Sequence, residues 1–191
     1  MDVFGYGVLV LMAVALVYGV AIYNRLVMIK HNVKKAWGNI DVLLKQRHDE
    51  LPKLVETCRQ YMKYEQETLE RVIKARSRVA SARESGDVGA LGEAEGLLRV
   101  GLGQLFALAE NYPELKANES FQHLQGRITG LENAIADRRE FYNESVNVNN
   151  IRIEQFPDLI VARLFAFTPF DLLTFQEEEK ADVDVHALFN R

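Results

Sequence analysis

The sequence predicts an all-α protein, in which an N-terminal transmembrane helix is followed by an elongated antiparallel four-helix bundle. Three observations favour this fold class. One long uncharged apolar run lies near the N-terminus, and hydrophobic residues then recur every three or four positions. No alternating pattern of useful length indicates a β-strand. The chain of 191 residues contains only 4 prolines, which leaves room for long helices.

Composition narrows the functional classes. Charged residues make up 26% and hydrophobic residues 48% of the chain, so it is neither a disordered polymer nor a polytopic membrane protein. The net charge of −4 argues against nucleic-acid binding, because phosphate neutralisation needs a basic face. The single cysteine, Cys58, excludes an internal disulfide and a cysteine-based metal site. Because Cys58 lies on an apolar helix face, it is predicted to be a small buried side chain.

The first element is the uncharged run of residues 3–23. As a helix it would have about 21 residues and a length of roughly 32 Å, which matches a hydrocarbon core of about 30 Å. A cleaved signal peptide is the alternative, but Met1-Asp2 carries no basic residue and the run is longer than a signal peptide needs. Residues 1–24 are therefore predicted to comprise a short outside N-terminus and a single transmembrane helix, with residues 3–23 bound to the lipid bilayer.

Flanking charges predict the orientation of this helix. Arg25, Lys30, Lys34 and Lys35 follow the apolar run, whereas only Asp2 precedes it. By the positive-inside rule the N-terminus is outside the cell and the domain after the helix is cytosolic. The sequence thus predicts a single-pass protein of the cell membrane.

Residues 25–157 are predicted to form the cytosolic domain. Its first apolar stripe ends at Leu44 and its second begins at Leu51 and continues to Val79. A tight reversal or a sharp kink is expected near Pro52, because proline is tolerated in the first turn of a helix.

The third and fourth helices are bounded by clear signals. Ser85-Gly86-Asp87 predicts the end of the second helix and the start of the third, since it combines a permissive glycine with a capping aspartate. Tyr112-Pro113 is expected to end the third helix. The fourth is predicted to be long, from near Asn118 to Phe156-Pro157.

The tail of the chain divides into two parts. Residues 158–175 form a second apolar segment, which is interrupted by Pro169 and too short to span a bilayer. A short helix that closes one end of the bundle, an interfacial segment on the membrane and a partner-binding peptide are three alternatives for it. Residues 176–191 are acidic and are predicted to be disordered.

No catalytic signature is recognisable in the sequence. It lacks a phosphate-binding GxxxxGK[ST] loop, a dinucleotide-binding turn and the Glu-x-x-His pairs of four-helix di-metal sites. Its 4 histidines are far apart and lack the spacing of zinc ligands. We therefore expect no enzymatic activity, no cofactor and no metal.

Polar residues on apolar helix faces are the unusual feature. Glu65 and Arg76 interrupt the second stripe, and Arg138 or Arg139 interrupts the fourth. Because an unpaired buried charge is costly, each should have a partner or lie at the rim. Interhelical pairing, for instance of Glu65 with an arginine of the fourth helix, is one interpretation. A polar channel or pocket around Glu65, Arg76 and Arg139 is the other.

Asparagines crowd the end of the predicted fourth helix, where this residue type is unfavourable. They either pair with a loop between helices or present a polar surface to a partner, and the sequence does not decide between these roles. The asparagines concerned are Asn143, Asn147, Asn149 and Asn150.

Several short motifs occur together along residues 22–165. They include Val33-x-x-Ala36-Trp37, Leu51-Pro52-x-Leu54-Val55, Tyr112-Pro113-x-Leu115-Lys116-Ala117, Glu132-Asn133-x-Ile135 and Arg139-x-x-Tyr142-Asn143. In this combination the sequence resembles the LemA family of bacterial membrane-anchored proteins. The resemblance implies one N-terminal transmembrane helix and a cytosolic four-helix domain, and it implies no catalytic residue. This chain departs from the family in having Asn149-Asn150 where Tyr-Asn is frequent.

Two functional hypotheses from different classes follow. The first is a non-enzymatic, membrane-anchored helical scaffold or interaction protein with unknown protein partners and no nucleic acid. The alternative is a membrane-tethered sensor or ligand-binding bundle with a polar pocket. Homo-oligomerisation along the bundle face is a third hypothesis. The candidate structural or pocket residues are Glu65, Arg76, Asn133, Arg139 and Asn143.

Overall fold

The computed structural model describes residues 3–174, and this part of the chain is all-helical, without β-strands. The all-α fold class is confirmed, whereas the antiparallel arrangement of four helices stays a prediction. The acidic tail, residues 176–191, lies outside the described residues. The helices are α1 (Val3–Tyr61), α2 (Gln66–Ser85), α3 (Val88–Ala109), α4 (Pro113–Lys116), α5 (Glu119–Glu154) and α6 (Asp158–Leu164).

The first helix is much longer than the sequence predicts. α1 has 59 residues and continues through Pro52, so the reversal, one of the two alternatives predicted near this proline, is wrong, while the kink stays a prediction. The chain leaves the helix at Met62 instead, and α2 begins only after Glu65. The apolar stripe that was assigned to one helix from Leu51 to Val79 is therefore divided between α1 and α2. The turn was missed because residues 62–65 contain neither glycine nor proline.

The junction between α2 and α3 confirms its sequence signals. Gly86 ends α2 in the left-handed region, at φ +69°, where glycine has no steric penalty. Asp87 then begins α3, and its carboxylate accepts a hydrogen bond from the Ala90 N–H at 2.9 Å. α2 and α3 pack against each other in the structure.

The long predicted fourth helix corresponds to α5. The Asn118 carboxamide oxygen accepts the Phe121 N–H at 3.0 Å, which is the expected cap at the start of a helix. α3 ends at Ala109, slightly before the predicted Tyr112-Pro113, and Pro113 opens the single-turn helix α4.

The described residues fall into two compact units. The first unit contains residues 3–42 and 135–172, and the second contains residues 43–134 and 173–174. In the first unit α6 packs on α1 and α5 through a buried apolar cluster of Ile22, Leu26, Ile153 and Ala162. The second unit has a larger apolar core, in which Cys58 is fully buried as predicted.

Candidate functional site

The residues predicted to share a polar pocket have different partners. Glu65 lies in the turn before α2, and it accepts a hydrogen bond from the Tyr112 hydroxyl at 3.2 Å. It does not pair with an arginine of the fourth helix, because the turn takes it out of the helical stripe. Arg76 contacts His48 instead. The contacts of Glu65 and Arg76 therefore give no support to a joint pocket.

The remaining predicted residues lie along α5. Asn133 is exposed in the second unit, while Arg139 and Asn143 are half-buried in the first unit. Both half-buried residues take part in interactions within the protein.

The most deeply buried charge is one that the sequence analysis did not single out. Arg47 of α1 is 1% exposed and lies in the core of the second unit. Its Nη1 donates to the Glu132 carboxylate of α5 at 2.5 Å, and its Nη2 donates to the Glu95 carboxylate of α3. Glu95 is 3% and Glu132 is 22% exposed. Three helices thus contribute one charged side chain each to a triad of Arg47, Glu95 and Glu132.

The sequence did contain a signal for this triad. Arg47 lies on the buried stripe of α1, because it is three residues after Leu44 and four residues before Leu51. Glu95 lies between Leu91 and Leu98 in the same way on α3. One basic and one acidic residue on buried faces of two helices indicate a buried ion pair, because neither charge could be buried alone.

The two carboxylates decide the protonation state of Arg47. Burial alone would lower the pKa of its guanidinium, but the adjacent carboxylates of Glu95 and Glu132 raise the pKa above its ordinary value. Arg47 is therefore a permanent cation with two fixed hydrogen-bond acceptors. Such a triad can fix the register of α1, α3 and α5, since a shift of any helix would leave a buried charge unpaired.

Arg76 compensates for the proline inside α1. Pro52 has no N–H, so the carbonyl oxygen of His48, four residues earlier, lacks its helical donor. The Nε of Arg76, on α2, donates to this oxygen at 3.0 Å. The Nη2 of Arg76 also lies 2.7 Å from the His48 ring Nε2. An arginine from another helix therefore supplies the bond that the proline removes.

The contact with Arg76 also sets the state of the histidine. Burial lowers the pKa of His48 from its ordinary value of 6.5, and the positive charge of Arg76 lowers it further. Arg76 can only donate, so His48 Nε2 accepts, and the ring is neutral near pH 7.

We expect the bond between Arg76 and His48 to stabilise the protein more when Pro52 is present than when it is replaced. Arg76→Met should lower the free energy of unfolding by about 1.5–3 kcal/mol, as for other hydrogen bonds to charged groups. In a Pro52→Ala background the alanine N–H can donate to His48, so the same substitution should cost at least about 0.5 kcal/mol less. A double-mutant cycle by urea unfolding, followed by circular dichroism, measures this coupling. Strictly additive effects of the two substitutions would contradict the assignment.

Two of the crowded asparagines, Asn149 and Asn150, bind the irregular segment that follows α6 (residues 167–174, the C-terminal segment) through the carbonyls of Thr168 and Phe170. Asn150 accepts the Phe170 N–H at 3.0 Å and donates to the Phe170 carbonyl at 2.9 Å. Asn149 donates to Asn150 Oδ1 at 3.1 Å, and the Tyr142 hydroxyl donates to the Asp171 carbonyl at 2.9 Å. Asn149 and Asn150 therefore pair with a segment of the same chain, but this segment follows the last described helix and is not the loop between helices that the sequence suggests.

The end of the C-terminal segment belongs to the second unit. Leu173 is 1% exposed, and Thr174 lies against the buried Gly92 of α3. A Cβ atom at position 92 would overlap the Thr174 carbonyl oxygen and lie 3.1 Å from its carbon. The glycine therefore permits a close approach between the backbone of the segment and α3.

Membrane association is indicated by α1. Among the described residues it is the helix that is long and apolar enough to cross a membrane, and only 6% of its most apolar 18-residue stretch is buried within the protein. No group of three or more histidine, cysteine or acidic side chains within residues 3–174 is placed to hold a metal ion.

These features define a class of membrane-associated helical proteins with one apolar N-terminal helix. The family model of the LemA family matches residues 36–186, and the chain belongs to this family.

Three magnetosome proteins are similar to the chain. MamQ 1 and MamQ 2 of Paramagnetospirillum magneticum (strain AMB-1) are each 32% identical to it over 103 residues, which cover 52% of this chain and 37% of theirs. The chain thus spans little more than a third of the length of these two relatives. MamQ of Magnetospirillum gryphiswaldense is 22% identical over 186 residues, which cover 85% of this chain and 68% of the relative.

Proposed function

We propose that this chain is a single-pass membrane scaffold, which presents an antiparallel four-helix bundle on the cytosolic side to protein partners. The continuous helix α1 carries the proposal. Its apolar side chains from Val8 to Val20 are largely exposed. Exposure to water would be unfavourable for them, whereas exposure to lipid is not. The same helix then enters the folded part of the chain without a break at Pro52.

A membrane anchor makes weak binding effective. Tethered proteins meet partners in the same membrane at a raised local concentration, so an interface on the bundle needs little intrinsic affinity. Membership of the LemA family supports this proposal, since the resemblance to this family implies an N-terminal transmembrane helix and a cytosolic four-helix domain. The basic residues after the span, among them Arg25 and Lys30, support the cytosolic side.

Crosslinking in intact cells tests the proposal. The full chain, an anchor-only variant that consists of residues 1–24, and a variant without residues 1–24 are compared after crosslinking and mass spectrometry. We expect a reproducible set of proteins with the full chain, which is lost with the anchor-only variant and depleted in the variant without the anchor. A full chain that gives only the background of the anchor-only variant would contradict the scaffold function. Homo-oligomerisation would instead give crosslinks between copies of this chain.

A further inference from the structure

The short helix α6 exposes two of its large apolar side chains to its surroundings, and an exposed aromatic residue precedes it. Ile160 and Leu164 are 58% and 76% exposed, and Phe156, just before the helix, is 75% exposed. At 100° per residue, Ile160 and Leu164 lie opposite the buried Asp158 and Ala162. A surface helix in water normally has the reverse pattern. These three residues, Phe156, Ile160 and Leu164, are called the outer face of α6.

α6 lies where α1 leaves the apolar span. Its Ala162 is buried with Ile22 and Leu26 of α1. The ring centroids of Tyr23 and Phe165 are 4.7 Å apart, and those of Tyr23 and Phe167 are 5.9 Å apart. These contacts fix α6 beside the last uncharged turn of α1, at the level where aromatic residues collect in membrane proteins.

Basic side chains surround this position. Arg25 of α1 and Arg163 of α6 are exposed, and the Lys30 ammonium lies 5.7 Å from the centroid of the Phe167 ring. The nearby acidic Asp158 is buried and lies 3.5 Å from the Arg152 guanidinium. Exposed apolar residues with neighbouring cations are typical of a helix that lies in an anionic lipid interface.

The position of α6 along α1 also agrees with the thickness of the headgroup layer. From Tyr23 to Lys30 a helix rises by about 10 Å, and the headgroup layer of one leaflet is about 5–8 Å thick. A helix that packs on α1 between these two residues is therefore level with the headgroups when residues 3–23 span the hydrocarbon core.

We propose that α6 lies in the headgroup layer of the membrane that α1 crosses, with its outer face directed to the acyl chains and the neighbouring basic residues to anionic headgroups. This inference rests on the proposed anchor. It makes α6 a second membrane contact, which fixes the first unit against the bilayer surface. Of the alternatives for residues 158–175, the proposal thus favours the interfacial one for the part that forms α6.

Site-directed labelling of the full chain in vesicles tests this placement. Single cysteines are introduced as Ile160→Cys and Leu164→Cys, with Phe141→Cys as the control. Phe141 is also exposed in the first unit, at 51%, and its neighbour Tyr142 packs on Trp37 at 5.4 Å, about 20 Å along α1 from Tyr23. Native Cys58 stays unlabelled, because burial raises the pKa of its thiol to about 12.

The vesicles contain phosphatidylcholine and phosphatidylglycerol, and each introduced cysteine carries an environment-sensitive fluorophore. Its quenching by nitroxide-labelled lipids is compared with its quenching by aqueous iodide. We expect labels at 160 and 164 to be quenched several-fold more by the lipids, and several-fold less by iodide, than the label at 141. Iodide quenching equal to that at 141 would overturn the proposal. Shielding from both quenchers would overturn it in favour of a protein that covers the face, such as a second copy.

A further label separates this inference from the proposed function. Leu11→Cys lies inside the span of α1. Lipid quenching at 11 without lipid quenching at 160 and 164 would refute only the interfacial position of α6. No lipid quenching at 11 would refute the anchor, and the placement of α6 with it.

Discussion

Arg47→Met is expected to lower the free energy of unfolding by about 3–5 kcal/mol, because it leaves buried carboxylates without their cation. Glu95 is only 3% exposed and cannot recover its hydration in the folded protein. The measurement is urea unfolding of the full chain in detergent micelles, followed by circular dichroism. Both the midpoint and the slope of the transition are compared with those of the unchanged chain.

An exposed ion pair supplies the matched control. Arg71 and Glu67 are linked at 2.5 Å on the surface of α2, with side chains 56% and 81% exposed. Arg71→Met removes an identical side chain and should cost about 0.5 kcal/mol or less. Adding Glu95→Leu to Arg47→Met should recover part of the loss, since it removes a stranded carboxylate. Equal effects of Arg47→Met and Arg71→Met would mean that the triad contributes nothing specific.

Gly92→Ala is expected to destabilise the protein by about 1–3 kcal/mol, although alanine is the better helix former. The added methyl group would overlap a backbone atom of Thr174, which cannot move aside as a flexible side chain would. We expect lower stability by urea unfolding and faster amide hydrogen exchange at Leu173. The second readout reports directly on detachment of the C-terminal segment.

Gly96→Ala is the control for this substitution. It lies one turn later on α3, and apart from the adjoining helix backbone no described atom lies within 4 Å of a Cβ placed there. It should raise the free energy of unfolding by about 0.5–1 kcal/mol through helix propensity alone. If both alanines stabilised the protein equally, the close approach of Thr174 to α3 would be refuted.

Local signals in the sequence were sufficient to predict several helix boundaries and a buried residue. The glycine and aspartate at 86 and 87 gave the correct junction, because a left-handed residue and a helix cap act within a few residues. The periodicity also identified Cys58 as a buried residue and gave the start of α5 near Asn118.

The errors came from interactions between distant residues. A reversal or a kink was expected near Pro52, because proline removes a helical hydrogen bond. The reversal is absent, and the donor that replaces this bond, Arg76, is on another helix and could not be identified from the local sequence. The Arg47 triad was also missed for this reason. Its charged residues can be assigned to buried helix faces from the sequence, but their pairing depends on how three helices pack. For Asn150 the sequence showed an unfavourable residue, while its partner at 170 is separated from it by the whole of α6.

The attachment of the C-terminal segment does not depend on the identity of its side chain at 170. Asn150 binds both the N–H and the carbonyl of that residue, much as a neighbouring β-strand would. Any amino acid other than proline supplies the same two groups. The side chain at 170 can therefore diverge among related proteins without loss of these two bonds, while the constraint falls on the asparagine.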